Sequence, residues 1–321
     1  VKAKFLVAAL VTSCALNIVG LVYLILFQNL SHHYKMMHRE RNQMAQNLTS
    51  IRASHVVAEA IESGTIVQRS FNSLADGTED SYAYMPPATS GRLDNILLVY
   101  LHGMGSNYLE PFSCPPQNTI AQALASKYPD ACLMAPSYRK SASWASDEAM
   151  SDITQNVRAM LQQYPFAHIV LSGTSMGGCT ALLYATYCPP DIKAKLAGII
   201  SAEGAGDLAK LSDATDNRSV KAAIRAALGG TDQQVPNAYK KRSFLPNIDK
   251  LSKDCPVAII SASADAIVPA KLQEDLREAL QKHGNPTKFI SVDGGHGVAP
   301  ADLYMNALDF IMQSQKPGSN N

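Results

Sequence analysis

Gly173-Thr174-Ser175-Met176-Gly177 is the stretch of this chain best suited to do chemistry. It follows an apolar run, Ala167-His168-Ile169-Val170-Leu171, and precedes a helix-like segment from Gly178 to Tyr187. A Gly-x-Ser-x-Gly turn between a buried strand and a helix holds the serine Oγ clear of the backbone, at a helix start whose N–H groups point towards it. The turn is so tight that side chains at its two flanking glycines would clash. A serine hydroxyl is a weak nucleophile near neutral pH and needs a base to take its proton as it attacks. His296 is the expected base. It sits in Gly294-Gly295-His296-Gly297, just after an expected strand, Thr287–Val292, where a ring can swing over Ser175. The other histidines have plainer roles. His32, His33, His38 and His55 belong to an N-terminal stalk, His168 begins a strand, His283 ends a helix, and His102 reads as structural.

An imidazole base needs a carboxylate to hold its tautomer and to stabilise the positive charge that develops on it. Asp265 follows the apolar run Pro256–Ser261, at the strand end where open α/β sheets bind ligands. Glu203 is its rival, placed after the preceding strand, whereas Asp293 reads as a turn residue. The oxyanion of a tetrahedral intermediate needs two preorganised donors. Met176 N–H, next after the nucleophile, is one, and Met104 N–H is the expected second, in a loop that Gly103 and Gly105 allow to come close. Trp144 and Tyr108 are the candidates for substrate contact, with Glu110 and Phe112 beside Tyr108 as further residues at the entrance.

The elements that must position these groups follow from hydropathy. Thr65–Phe71 and Ser81–Met85 read as a hairpin turning at Ala75-Asp76-Gly77. Asn95–Leu101, Ala131–Ala135, Leu196–Ser201, Pro256–Ser261 and Thr287–Val292 are strand-like, most of them continuously apolar. Helix-like segments run over Asn118–Lys127, Asp147–Gln163, Ala270–His283 and Ala301–Gln313. Apolar strands alternating with amphipathic helices predict an α/β fold, a mostly parallel sheet covered on both faces. Glu203 to Asp254 interrupts the alternation, is locally basic, and should contain helices of its own; residues 205–254 could form a cap over the site.

The chain has 321 residues, 46% hydrophobic and 17% charged, which suits one large globular domain with an appendage. A net charge of +1 gives no reason to expect a nucleic-acid partner. Eight histidines and six cysteines make no cluster at zinc spacing, so no metal or organic cofactor is expected. The thiols read as buried or idle, with a Cys114–Cys132 or Cys179–Cys188 disulfide left open. Phe5–Phe27 carries no charge and would span about 34 Å as a helix. That is enough to cross a hydrocarbon core, so residues 1–30 are expected to form a transmembrane signal anchor, followed by a juxtamembrane stalk over 31–63. Val11-Thr12-Ser13-Cys14 also resembles a lipobox, but the chain stays apolar well beyond it. Lys2 and Lys4 precede the span and Lys35, Arg39 and Arg41 follow it, a count that slightly opposes an extracytoplasmic catalytic domain. The short N-terminal tail nevertheless favours that orientation. Residues 316–321 read as a disordered tail.

From about Gly64 to residue 315 the chain resembles the α/β-hydrolases, and within them the prolyl-oligopeptidase-like and dienelactone-hydrolase-like serine hydrolases. The likeness rests on Leu101-His102-Gly103-Met104-Gly105, the Ser175 turn, Ser261-Ala262-Ser263-Ala264-Asp265 with Val268-Pro269, and the His296 loop, in the superfamily order Ser, Asp, His. It implies a serine hydrolase working through an acyl-enzyme, on a small-molecule ester or a short peptide. Prolyl oligopeptidases restrict access with an N-terminal propeller that the first 94 residues, mostly span and stalk, do not provide, so an ester is the expected substrate. A peptidase, an acyltransferase and, last, a non-catalytic membrane scaffold are the alternatives.

Overall fold

The computed structural model describes residues 27–28, 30–31, 55–88, 96–114, 118–139 and 141–315. The expected span Phe5–Phe27, apart from Phe27, and the tail 316–321 lie outside them, as does the stalk except Ser31 and the residues from His55 on. No helix among the described residues is long and apolar enough to cross a membrane. The chain divides into two compact units, Val1–Ser54 and His55–Asn321. The expected boundary at residue 64 therefore falls inside the second unit. Residues 55–62 are helical, and Val57 is buried there in the same apolar cluster as Ile66 and Met85.

The second unit is built on one eight-stranded sheet. Its strands are β1 (Val67–Asn72), β2 (Glu79–Met85), β3 (Ile96–Leu101), β4 (Cys132–Pro136), β5 (His168–Thr174), β6 (Leu196–Ala202), β7 (Val257–Ala262) and β8 (Thr287–Val292). They lie in the order β1-β2-β4-β3-β5-β6-β7-β8. β1 and β2 form the expected antiparallel hairpin, β2 is antiparallel to β4, and every pair from β4 to β8 is parallel. The chain winds outward from β3 to β4 on one side and from β5 to β8 on the other. β3 and β5 are thus the neighbours at which the winding reverses, with Leu101 opposite Gly173. Ligands bind at such a switch point, beyond the carboxyl ends of the strands.

The central strands β3 to β7 are buried on both faces, which is why they read as apolar runs. Leu97, Val99 and Leu101 enter one core cluster, whereas Ile96, Leu98 and Tyr100 enter the other. The first face is covered by α3 (Asp147–Gln163), α4 (Met176–Tyr187) and α9 (Ala270–His283), and the second by α2 (Ile120–Lys127) and α10 (Ala301–Ser314). A one-turn helix, α1 (Glu110–Ser113), precedes α2, and another, α5 (Pro190–Lys193), follows α4. Local chemistry starts the longer helices where expected. Thr119 closes a capping box with Gln122 at the head of α2, and Ser146 accepts the Ala149 N–H at the head of α3. α4 is different: every residue from Met176 to Thr186 is buried, so it has no polar face to advertise itself in sequence.

The segment between β6 and β7 folds into helices, as its length implies: α6 (Leu208–Ala214), α7 (Arg218–Leu228), α8 (Pro236–Arg242) and a 3-10 turn over Leu245–Lys250. Leu208, Leu211, Ile224, Tyr239 and Phe244 bury themselves in the first core cluster alongside Leu276 and Leu280 of α9. Among the described residues, no hydrogen bond or ion pair ties α6–α8 to Ser175, Asp265 or His296. The five described cysteines, 114, 132, 179, 188 and 255, are free thiols, so neither contemplated disulfide forms.

Candidate active site

The serine turn is set by backbone packing. At Gly177 an added Cβ would lie 1.9 Å from the Leu101 carbonyl oxygen, and at Gly173 one would lie 2.5 Å from the Gly177 carbonyl carbon. Only glycine lets β5, α4 and the end of β3 approach so closely. Ser175 itself is bent to φ 56°, ψ −117°, a strained conformation for a residue with a side chain. Its N–H donates to the Ala202 carbonyl at 2.8 Å, and its carbonyl accepts the Cys179 N–H at 3.0 Å. Below it Tyr100, Thr174 and Tyr304 join their hydroxyls in a buried chain, which Tyr100 extends by donating to Glu110 Oε1 at 2.7 Å.

The structure brings Ser175, His296 and Asp265 together across 121 and 31 residues of sequence. His296 Nε2 lies 2.9 Å from Ser175 Oγ, and His296 Nδ1 lies 2.7 Å from Asp265 Oδ2. The other Asp265 oxygen accepts the Ile267 and Val268 N–H groups, both at 2.8 Å, which fixes the carboxylate before it meets the ring. Glu203 arrives at the same place. Its Oε2 lies 3.2 Å from His296 Nδ1 and accepts the Gly297 N–H at 2.7 Å. Burial pushes the Glu203 carboxyl up to about 7, opposed by the Gly297 N–H and the His296 ring and assisted by the neighbouring Asp265 charge. Asp293, by contrast, accepts from Ser263 Oγ at 3.3 Å. Glu203, Asp265 and His296 are also the cluster among the described residues whose atoms could converge on a metal ion. A cation there would displace the hydrogen bonds that orient the ring.

The two expected oxyanion donors are both available. Met176 opens α4, which has no side-chain cap, and Met104 N–H has no partner among the described residues. The Gly103 N–H, in contrast, is taken by Glu110 at 3.2 and 3.3 Å. A Cβ at Gly103 would stand 3.8 Å from Ser175 Cβ, so this loop lies against the nucleophile. Gly105 is needed for another reason: its φ is +84° and nothing lies within 4 Å of its missing side chain. His102 pins the loop from below, its ring nitrogens 2.8 Å from the Gly103 carbonyl and 3.0 Å from the Ser137 carbonyl.

The substrate-contact candidates are placed otherwise. Trp144 is 1% exposed and belongs to the core, so its indole offers no wall to a substrate. Tyr108 is partly buried and its hydroxyl accepts from Gln68 Nε2 at 2.7 Å. Glu110 and Phe112 do not line an entrance: both are buried, Phe112 in the second core cluster and Glu110 as the acceptor that holds Gly103. The role of Glu110 lay beyond the sequence reading, whose one available signal was an acid ten residues after a buried tyrosine. A cleft lined by Met150, Leu183, Tyr187, Lys241 and Arg242 lies among α3, α4 and α8, and none of the three converging side chains lines it.

Comparison with known proteins agrees with this architecture. The BD-FAE family model matches residues 83–280, from β2 into α9, a span that holds Ser175, Glu203 and Asp265 and ends before His296. No curated protein matches the chain. Among solved structures, the Pyrococcus horikoshii acylaminoacyl peptidase is similar at 16% identity and a TM-score of 0.64, over 80% of this chain and 43% of that one. A puromycin-hydrolyzing peptidase of Mycobacterium tuberculosis is similar at 19% identity and a TM-score of 0.59, over 77% of this chain and 39% of that one. A bifunctional GH43-CE protein of Bacteroides eggerthii is similar at 17% identity and a TM-score of 0.60, over 74% of this chain and 36% of that one. At these identities the likeness is one of fold, and this chain spans less than half the length of each. Since the family match takes in more than half of the chain and lies on an α/β-hydrolase sheet with a serine turn at its switch point, the protein belongs to the BD-FAE family.

Proposed function

We propose that the protein is a serine hydrolase that cleaves a carboxylic ester through an acyl-enzyme. The observation that carries this reading is the run of contacts from Ser175 Oγ through His296 to Asp265, 2.9 and 2.7 Å long. In the first step Ser175 Oγ attacks the carbonyl carbon and its proton passes to His296 Nε2. The Met104 and Met176 amides receive the oxyanion. As the carbonyl reforms, His296 returns the proton to the departing alcohol oxygen. Water then repeats the sequence against the acyl group and frees Ser175. Asp265 keeps the ring in the tautomer with its proton on Nδ1 and faces the imidazolium that forms twice per turnover.

An ester is preferred to the amide of an aminopeptidase on a specific ground. An enzyme that grips a free α-amino group needs a carboxylate to spare. The three buried acids around the nucleophile are all engaged: Asp265 and Glu203 with His296 and its loop, Glu110 with Tyr100 and Gly103. The acylaminoacyl and puromycin-hydrolyzing names of similar structures keep a blocked peptide or amide as the second reading. We also retain the proposal that Phe5–Phe27 anchors the domain to a membrane with its site extracytoplasmic, which alkaline extraction and protease protection of the full chain would test. For the chemistry, the protein is assayed against p-nitrophenyl esters of graded chain length and against acylated and free aminoacyl amides. Ser175→Ala should lower turnover by roughly four to six orders of magnitude. A fluorophosphonate should label the wild type at Ser175, and a folded wild type that resists labelling and hydrolyses none of these substrates would refute the reading.

A further inference from the structure

His296 gives one ring nitrogen to the nucleophile and presents the other to two carboxylates. Nδ1 lies 2.7 Å from Asp265 Oδ2 and 3.2 Å from Glu203 Oε2. The two acids come from the ends of adjacent parallel strands, Glu203 directly after β6 and Asp265 in the loop after β7. Glu203 is delivered there at some cost. Its backbone stands at φ 51°, in the left-handed region, and its side chain is buried with no lysine or arginine among its described partners. A buried carboxylate without a permanent cation is expensive, and a neutral glutamine would serve the Gly297 N–H as well. Among the described residues, the group that can return a positive charge to Glu203 is His296, and it does so only when the ring is protonated.

We propose that Glu203 is a second carboxylate of the relay, a positioning residue that stabilises the transient His296 imidazolium by its charge and holds the His296 loop through Gly297 N–H. The inference rests on His296 being the base of the proposed hydrolase. Glu203 exchanges no proton in the step itself: the proton leaves Ser175 Oγ as the Oγ–C bond forms, rests on Nε2, and goes to the leaving oxygen. What changes is the field on the ring. The titratable groups that face Glu203 are His296, Asp265 and, from α10, the Tyr304 hydroxyl, which the Glu203 charge helps to push up. With the Glu203 carboxyl at about 7, the ring meets one negative charge in mildly acid solution and two in mildly alkaline solution.

The test is Glu203→Gln, which keeps an oxygen for the Gly297 N–H and removes the charge. At about pH 8 kcat/KM should fall roughly ten- to a hundredfold, the help one opposite charge within about 4 to 6 Å gives an ionised partner. The deficit should shrink below about pH 6, and the acid limb of the variant's profile should move to lower pH and lose its second proton. Glu203→Ala, which also frees the loop, should lose more and at every pH. A Gln variant with the wild-type rate and the wild-type acid limb overturns the proposal and leaves Glu203 as a structural acceptor. If wild type and Ser175→Ala turn over equally, the underlying hydrolase reading fails instead. Should the Gln variant not fold, the His296 ring signals of the wild type are followed by NMR against pH. Two inflections are expected, and a single one overturns the proposal.

Discussion

Replacing Glu203 by glutamine should stabilise the fold in alkaline solution and leave it unchanged in acid. The residue is 2% exposed, and burial raises its carboxyl from 4.5 to about 7. The unfolded chain releases that proton near 4.5, whereas the folded protein holds it until about 7. Between these values the folded state binds more protons than the unfolded one, so stability falls as pH rises through the window. Below it both states are protonated and the group contributes nothing. Above it the folded state carries the whole cost of a buried charge, roughly 3 kcal/mol at about 1.4 kcal/mol per pH unit. That is a large share of the roughly 5–15 kcal/mol by which domains are stable. Glutamine fills the same space and does not titrate. Urea unfolding of the two proteins at several values from about pH 4 to pH 8.5 yields a difference curve in which the shared titrating groups cancel. The variant's advantage should grow by about 3 kcal/mol across that range. A flat curve would mean the carboxyl is not desolvated as its burial implies. A curve of opposite slope would mean that the His296 contact at 3.2 Å outweighs burial and holds Glu203 ionised.

Other perturbations separate the forces at work elsewhere. Gly177→Ala drives a Cβ to 1.9 Å from the Leu101 carbonyl oxygen, in a central strand that cannot yield, and should cost at least about 3 kcal/mol in thermal unfolding and abolish phosphonate labelling. Gly105→Ala meets nothing within 4 Å and carries only the left-handed penalty of φ +84°, so about 1–2 kcal/mol is expected and labelling should survive. Arg139→Met leaves Asp152, whose side chain is 0% exposed, without its cation and should destabilise by about 3–5 kcal/mol in urea. Because Arg139 also bonds Ser73 and Asp76 in the β1–β2 turn, hydrogen exchange should rise in that hairpin first.

The strands were legible because each is written locally. Residues that face apolar layers on both sides must be apolar throughout, and Ile96–Leu101 shows this without any knowledge of its neighbours. The Ser175 turn is legible for the same reason, since its glycines answer to atoms only a few residues or one strand away. The choice between Asp265 and Glu203 was not, because both follow parallel strands and both reach one nitrogen. Sequence order offers two acids, and only the 2.7 and 3.2 Å separations rank them. Trp144 misled for a physical reason. Its loop is polar, yet Tyr138, Arg139, Trp144 and Ala145 all take positive φ, which no local propensity favours, and this course accompanies complete burial of the indole.

Glu110 misled in another way. A one-turn helix has no periodicity to read, and the partners that draw the carboxylate inward, Tyr100 and Gly103, belong to β3 and the loop after it. Glu110 binds the Gly103 N–H, while the next amide, that of Met104, has no partner among the described residues. The loop that carries the proposed donor is therefore held by an acid whose contacts only the fold reveals. Residues that react announce themselves by type and spacing. Residues proposed to aim them, such as Glu110 and Glu203, act through contacts with other elements and become visible only once the sheet has brought its strand ends together.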